Sequence, residues 1–281
     1  METKSKDILL SKIGRICNAA LKILVIIIFI FPFYWMVSTS LKDLTEALQF
    51  PPTLIPSSLH WENYVHVFET VPIARYFLNS VIVSIGVLVL QYLVIVPAAY
   101  SLARHEYRGK KLFFGLVLLG QMIPQQITFL PVYFMFSKVK LLGTLLPQIL
   151  PFGASAFGIF MLRQGFKQIP DEIIESARLD SANEVQIMTQ IALPKCKSSM
   201  ITLAMFSFIG TWNSYFWPLV MTVHDEYRPL PVAIELLKSL GEGIEWPIIM
   251  AGNFLLVAPI LIVFLIFSKK IIASMAYRGV K

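Results

Sequence analysis

The side chains with the most to offer a ligand are uncharged. Gln121, Asn213 and Asn253 are amides set in apolar surroundings, and Gln91, Gln125 and Gln148 are others of the same kind. Trp212, Tyr215 and Trp217 crowd around Asn213 in the stretch "TWNSYFWPL". Amides donate and accept hydrogen bonds without titrating. Aromatic faces cover the apolar side of a ring-shaped ligand. Together these residues suit a path for a polyhydroxylated solute. Amides between helices also serve as plain interhelix hydrogen-bond partners, and both roles are open at this level. Groups for covalent or metal chemistry are scarce. His60, His66, His105 and His224 form no i,i+4 pair, and Cys17 and Cys196 lie far apart. Neither a metal site nor a disulfide framework is expected from such spacing. No G-x-x-x-x-G-K-[ST] occurs, so the chain has no phosphate-cradling loop of its own. No catalytic residue is assigned.

The elements that must position these groups are membrane spans. Hydrophobic residues make up 56% of the 281, and charged residues only 15%, against about 25% in soluble domains. Apolar runs of about 20 residues cross a bilayer as helices. Six are expected, near 20–38, 77–103, 112–136, 145–162, 200–221 and 248–267. Their interior prolines, among them Pro32, Pro97, Pro124, Pro151, Pro218 and Pro259, predict kinks or breaks. The fold class expected is therefore all-α, a polytopic membrane protein forming one domain over residues 1–281.

Charge placement sets the expected orientation. Lys4, Lys6, Lys12 and Arg15 precede a first run too long for a secretory signal, so it reads as an uncleaved span. With the N-terminus in the cytoplasm, 18 of the 24 Lys and Arg fall inside, which fits the positive-inside rule and puts the C-terminus inside too. The net charge of +7 thus faces a lipid bilayer. No RNA-binding signature or long basic run argues for nucleic acid. Lys22, at a span edge, is the only charge within the six runs. A self-contained proton relay or an intramembrane protease would need more.

Two long loops face outward in this scheme. In residues 41–76, "SLHWENYVHVF" reads as a short helix with Trp61, Tyr64, Val65 and Phe68 on one face. That face packs on the membrane or bundle, or meets an external partner. The second loop, 222–247, carries Gly241 and Gly243, which allow a tight, mobile tip.

The loop at 164–199 is the most polar inner segment, and it holds "ESARLDSANEVQIMTQIALP" from Glu175 to Pro194. Pro170-Asp171-Glu172 signals a helix start. Ser181 and Glu184 have the spacing of a capping box, which predicts a second short helix over 182–190 ended by Leu193-Pro194. Two short helices joined at a bend suit docking into a partner's groove. This segment resembles the EAA loop of permeases of ATP-binding-cassette importers, E-A-A-x-x-D-G-A with a closing I-x-L-P. Glu175, Ala177, Asp180, Ala182, Ile191, Leu193 and Pro194 match, while Ser176 replaces an Ala and Ser181 the Gly. "HWENY", "TWNSYFWPL" and the ending "RGVK" are similar to the carbohydrate-importer branch.

The resemblance implies a multi-pass subunit in a bacterial cytoplasmic membrane that translocates a sugar or polyol. It implies a second homologous permease, two ATP-binding subunits and an external solute-binding protein. ATP and Mg would be held by the ATPase partners, with no cofactor on this chain. Glu175, Ser176, Ala177, Asp180, Ser181 and Ala182 would dock the ATPase. The rival reading is a membrane scaffold or receptor that docks an ATPase and moves nothing.

Overall fold

A computed structural model describes residues 2–239 and 244–276, with side chains over 14–238 and 244–268. The described residues are helical and contain no strand. The chain divides into two compact units, Met1–Val71 with Leu237–Leu255, and Pro72–Leu236 with Leu256–Lys281.

The first unit opens with α1 (Glu2–Ser40), followed by α2 (Leu44–Leu48) and α3 (Glu62–Thr70). Side chains such as Ile23, Phe29 and Phe31 on α1 are exposed all round, as expected of a helix whose solvent is lipid. The loop after α1 is held by its own polar groups. Buried Lys42 donates to Thr53 O and lies 4.8 Å from the Trp35 ring centre. Buried Glu46 accepts from Thr53 Oγ1 and from the Ser57 amide and hydroxyl. Asn63 at the start of α3 donates to Ser40 O and Lys42 O. The expected short helix is present. Its Trp61, Val65 and Phe68 are exposed, while Tyr64 meets the Ser40 hydroxyl and the Phe254 ring edge.

The second unit is built on α4 (Ile73–Arg104). It continues through α5 (Lys110–Gly120), α6 (Gln125–Lys138), α7 (Leu146–Ile149) and α8 (Ala156–Lys167). Next come α9 (Asp171–Leu179), α10 (Glu184–Gln186), a π-helical turn (Ile187–Ala192) and α11 (Leu193–Lys195). Then follow α12 (Lys197–Trp212), α13 (Phe216–Met221) and α14 (Leu230–Ser239), which enters the first unit at Leu237. The last helix, α15 (Trp246–Ala276), begins in the first unit and passes into the second after Leu255. Its core packs α4, α8 and α12 through Ile95, Ala99, Leu162, Phe166 and Leu203. Gly158 permits that approach: a Cβ there would stand 2.9 Å from both Ile95 Cδ1 and Leu203 Cδ1.

Of the six expected spans, three appear as single helices and two as bent pairs among the described residues. Gly14–Ser40, Ile73–Arg104 and Trp246–Ser268 are long and apolar enough to cross a bilayer uninterrupted. Pro32, Pro97 and Pro259 lie inside these continuous helices and do not break them. The other three expected spans are broken. α5 and α6 meet at 95°, and the Leu146–Phe152 piece meets α8 at 43°. α12 has 16 residues, roughly 24 Å at 1.5 Å per residue and short of a hydrocarbon core of about 30 Å. Its run resumes in α13 after a break at 213–215.

Candidate functional site: a cavity at three helix breaks and a bent polar segment

Irregular backbone at membrane depth survives only where it is buried in protein or lines a watered cavity. Here the three breaks line one cavity of about 770 Å3, within the usual size of a small-molecule site. Gln121 and Ile123 come from the first break, Ala154 and Ser155 from the second, and Ser214 from the third. Two of the breaks have a local cause. Pro124 ends one loop with extended backbone, ψ 135°, and cannot donate a hydrogen bond. Ser155 has extended φ and ψ and caps α8 by accepting from the Gly158 amide at 3.1 Å.

The cavity wall is polar in patches and carries no charge among the described residues. Several of its groups are locked. Gln91 Nε2 donates to Phe152 O at 2.9 Å, and its Oε1 accepts from the Ser207 hydroxyl. Gln148 Nε2 donates to Thr222 Oγ1 and Tyr227 O. Trp217 donates its indole N–H to Pro147 O at 2.8 Å. The side chains of Gln121, Gln125 and Ser214 line the cavity without a hydrogen-bond partner among the described residues.

The expected path residues separate here. Gln121 lines the cavity. Trp212 is 2% exposed and donates to Leu256 O at 2.9 Å, with Phe77 and Phe208 against its ring. It is a packing residue of the second unit. Asn213 and Tyr215 are exposed at the third break, outside the cavity wall, as is the half-buried Asn253. Ser155 and Ser214 were not singled out by the sequence. A helix cap and a break leave a weak local signal, and their convergence leaves none.

The second candidate region is the 164–199 segment. α9 runs as expected, with Asp171 and Glu172 in its first turn and Arg178 in its last, both signs favoured by the helix dipole. The expected capping box is not at Ser181. The Ser181 φ is +62°, in the left-handed region, whereas an N-cap requires extended backbone. Ser181 instead ends α9. Its amide bonds Arg178 O and the Ala182 amide bonds Ala177 O, both at 3.0 Å. This pair of bonds closes a helix around one left-handed residue, usually glycine. The glycine of the resembling pattern therefore has a backbone reason, and serine fills it at some strain. The cap lies two residues on: Asn183 accepts from the Gln186 amide and Gln186 Oε1 from the Asn183 amide, both at 2.9 Å. Nor does Leu193-Pro194 end the second helix. Helical backbone continues to Lys195 and turns at Cys196.

Ala177 is buried and Ala182 packs beside it on the core, together with Ile174 and Ile187. Glu175, Ser176, Asp180 and Ser181 are exposed. Leu179 and Val185, 86% and 64% exposed, add apolar area to that outward face. Behind it, Glu184 joins three neighbours. Arg178 Nε donates to it at 2.9 Å, Tyr100 OH donates at 3.0 Å, and His105 Nε2 lies 3.5 Å away. Partial burial pushes the Glu184 pKa up, but the bonds from Arg178 and Tyr100 and the nearby positive charges outweigh it and hold the carboxyl below its ordinary range. Arg104 donates to Asp171 and to the carbonyls of Phe166 and Ile169. The residues at the expected loop tip, Gly241 and Gly243, and the terminal "RGVK" lie outside the described residues.

No three His, Cys, Asp or Glu come together as a metal-binding group among the described residues. What the arrangement offers is a neutral, hydroxyl-matching cavity and an amphipathic bent segment. The sequence pattern of the family described as "Binding-protein-dependent transport system inner membrane component" matches residues 95–276. The chain is 32% identical over 255 residues to the arabinooligosaccharides transport system permease protein AraQ of Halalkalibacterium halodurans, covering 90% of this chain and 91% of that one. It is 32% identical over 260 residues to the diacetylchitobiose uptake system permease protein NgcG of Streptomyces coelicolor, covering 92% and 86%. A bacterial ABC transporter involved in the import of the acidic polysaccharide alginate shares the fold, with a TM-score of 0.82 at 22% identity over 92% of this chain and 96% of that one. An all-helical chain with broken apolar helices, matched over most of its length by permeases, belongs to the family of binding-protein-dependent transport system inner membrane components.

Proposed function

We propose that this chain is the membrane-spanning subunit of an ATP-driven importer for an uncharged saccharide or polyol delivered by an external binding protein. The observation that carries the reading is the cavity, where three helix breaks meet in a wall of amides, hydroxyls and apolar groups with no charged side chain among the described residues. Such a wall exchanges hydrogen bonds with hydroxyl groups. It offers no counter-charge to a carboxylate or phosphate, whose burial without a partner costs several kcal/mol, on the order of a thousandfold in occupancy. The relatives named for arabinooligosaccharides and diacetylchitobiose agree with a neutral saccharide, whereas relatives 30% identical are named for sn-glycerol-3-phosphate and the structural neighbour for an acidic polysaccharide, so the uncharged class rests on the cavity wall.

The remaining parts follow from the family. A second permease completes the path, and two ATP-binding subunits hold ATP and Mg and supply the energy. The 164–199 segment lies in the cytoplasm with both termini. It presents Glu175, Ser176, Leu179, Asp180 and Val185 to one ATPase, while Ala177 and Ala182 seat it on the core. The test is uptake by the complete complex in proteoliposomes, with neutral pentose and hexose oligosaccharides set against uronic-acid oligosaccharides and glycerol phosphate. Saturable, ATP-dependent uptake confined to neutral compounds is expected. Preferred uptake of an anionic one would overturn the assignment of solute class.

A further inference from the structure

Two elements run from the cavity to the docking segment. α4 carries Ser80, Val83 and Gln91 in the cavity wall and Tyr100 and Arg104 at its other end. α8 begins in the wall at Ala156 and ends at Lys167, beside the first clamped carbonyl. About 20 Å of continuous helix separates Gln91 from Arg104 at 1.5 Å per residue.

The junction at the far end is unusual in its connectivity. The Arg104 side chain is only 7% exposed. Its guanidinium holds Phe166 O and Ile169 O, at the C-terminal end of α8, and the Asp171 carboxylate in the first turn of α9. One planar group thus pins three helices. One turn earlier, Tyr100 holds Glu184, which opens the second half of the docking segment. Glu184 also takes Arg178 from the end of α9. Both halves of the bent segment are therefore tied to the same end of α4. Apolar packing alone lets helices slide, but charge-assisted bonds in a planar fork have fixed directions.

We infer that Arg104 is the positioning residue of a rigid joint, supported by Tyr100 and Glu184, through which movement of the docking segment is passed along α4 and α8 to the cavity. Arg104 is not part of the cavity wall. It makes α4, α8 and α9 move as one piece. The inference rests on the proposed docking of the 164–199 segment to an ATPase.

The test uses the complete complex in proteoliposomes in a Cys17→Ser background. A Leu179→Cys crosslink to the ATPase reports docking. The rate at which a membrane-impermeant maleimide labels Ser214→Cys, with and without ATP, reports the cavity. With Arg104 intact, the crosslink forms and ATP changes the labelling rate severalfold. Arg104→Ala is expected to keep the crosslink, reduce the ATP-dependent change in labelling to less than twofold and lower solute uptake per ATP about tenfold. Arg104→Lys keeps the charge without the planar fork and is expected to fall between them. Tyr100→Phe, which removes one hydroxyl, is expected to lose part of the response should the alanine variant fail to assemble. A crosslinked Arg104→Ala complex with the full ATP response and normal uptake per ATP would overturn the joint. No crosslink with Arg104 intact would overturn the docking reading, and the joint with it.

Discussion

Ser181 offers a direct test of the bend in the docking segment. Its φ of +62° places a side chain where the Cβ crowds the following carbonyl, at a cost of about 1–2 kcal/mol for an L-residue. Ser181→Gly removes that strain. Glycine also gives the unfolded chain more freedom, which returns about 0.4–1 kcal/mol. The net expectation is a gain of about 0.7 kcal/mol, roughly a threefold shift in the local closed-to-open ratio. Ser181→Val acts in the other direction. A β-branched residue at positive φ is a true outlier, and a further loss of about 1 kcal/mol, near fivefold, is expected. Ser181 is exposed, so no lost packing confuses the comparison. The assay is hydrogen exchange of the peptide covering 177–187, which includes the Ala182 amide bonded to Ala177 O at 3.0 Å. Exchange should slow in the order Val, Ser, Gly. If the valine variant exchanged no faster than the glycine variant, the left-handed closure would not be what holds the bend.

Other substitutions probe the remaining parts. Glu175→Lys reverses charge on the exposed face of α9 and should abolish coupled uptake, while the protein still inserts in the membrane and the permease pair still forms, as judged by co-purification. Gly158→Val places methyl groups where a Cβ alone already stands 2.9 Å from Ile95 and Leu203. Overpacking of about 1–3 kcal/mol should lower the Tm of the purified complex. Gln91→Leu leaves the Ser207 hydroxyl and Phe152 O without their partner. A loss of about 2 kcal/mol should be visible in thermal unfolding, with Gln91→Glu not rescuing it. The Glu184 carboxyl has a pKa below 4.5 in the fold, so its contribution is present at neutral pH and is lost as pH falls through that lowered value. Once the intrinsic slowing of amide exchange at lower pH is divided out, protection of the 177–187 peptide should fall as pH drops through the lowered carboxyl range, and Glu184→Gln should remove that fall.

Much of the architecture was legible along the chain because lipid imposes a local rule. Lipid offers backbone groups no hydrogen-bond partner, so long apolar runs announce helices such as α4 and α15. The helix-start signal at Asp171 was equally local, as was the spacing of Trp61, Tyr64, Val65 and Phe68 that marked the short helix at Glu62. The two short helices of the 164–199 segment were readable because the signals for their starts and their bend lie close together in sequence. Its cap was misplaced by two residues, since the Ser181 spacing fits a capping box and only its backbone angle, +62°, forbids it.

The cavity and the joint are decided by tertiary structure. Trp212 and Gln121 looked alike as polar-edged residues in apolar spans, yet one is packed on Phe77 and Phe208 and the other lines a cavity. Which side of a helix meets the cavity depends on breaks at 121–124, 153–155 and 213–215 that approach one another only after α4, α8 and α12 have packed. Arg104, Asp171 and Glu184 are ordinary charges along the chain. They become one junction because α4 ends against the carbonyl end of α8. Local patterns report what each segment does with its own backbone hydrogen bonds, whereas the direction of a side chain belongs to whatever packs against it.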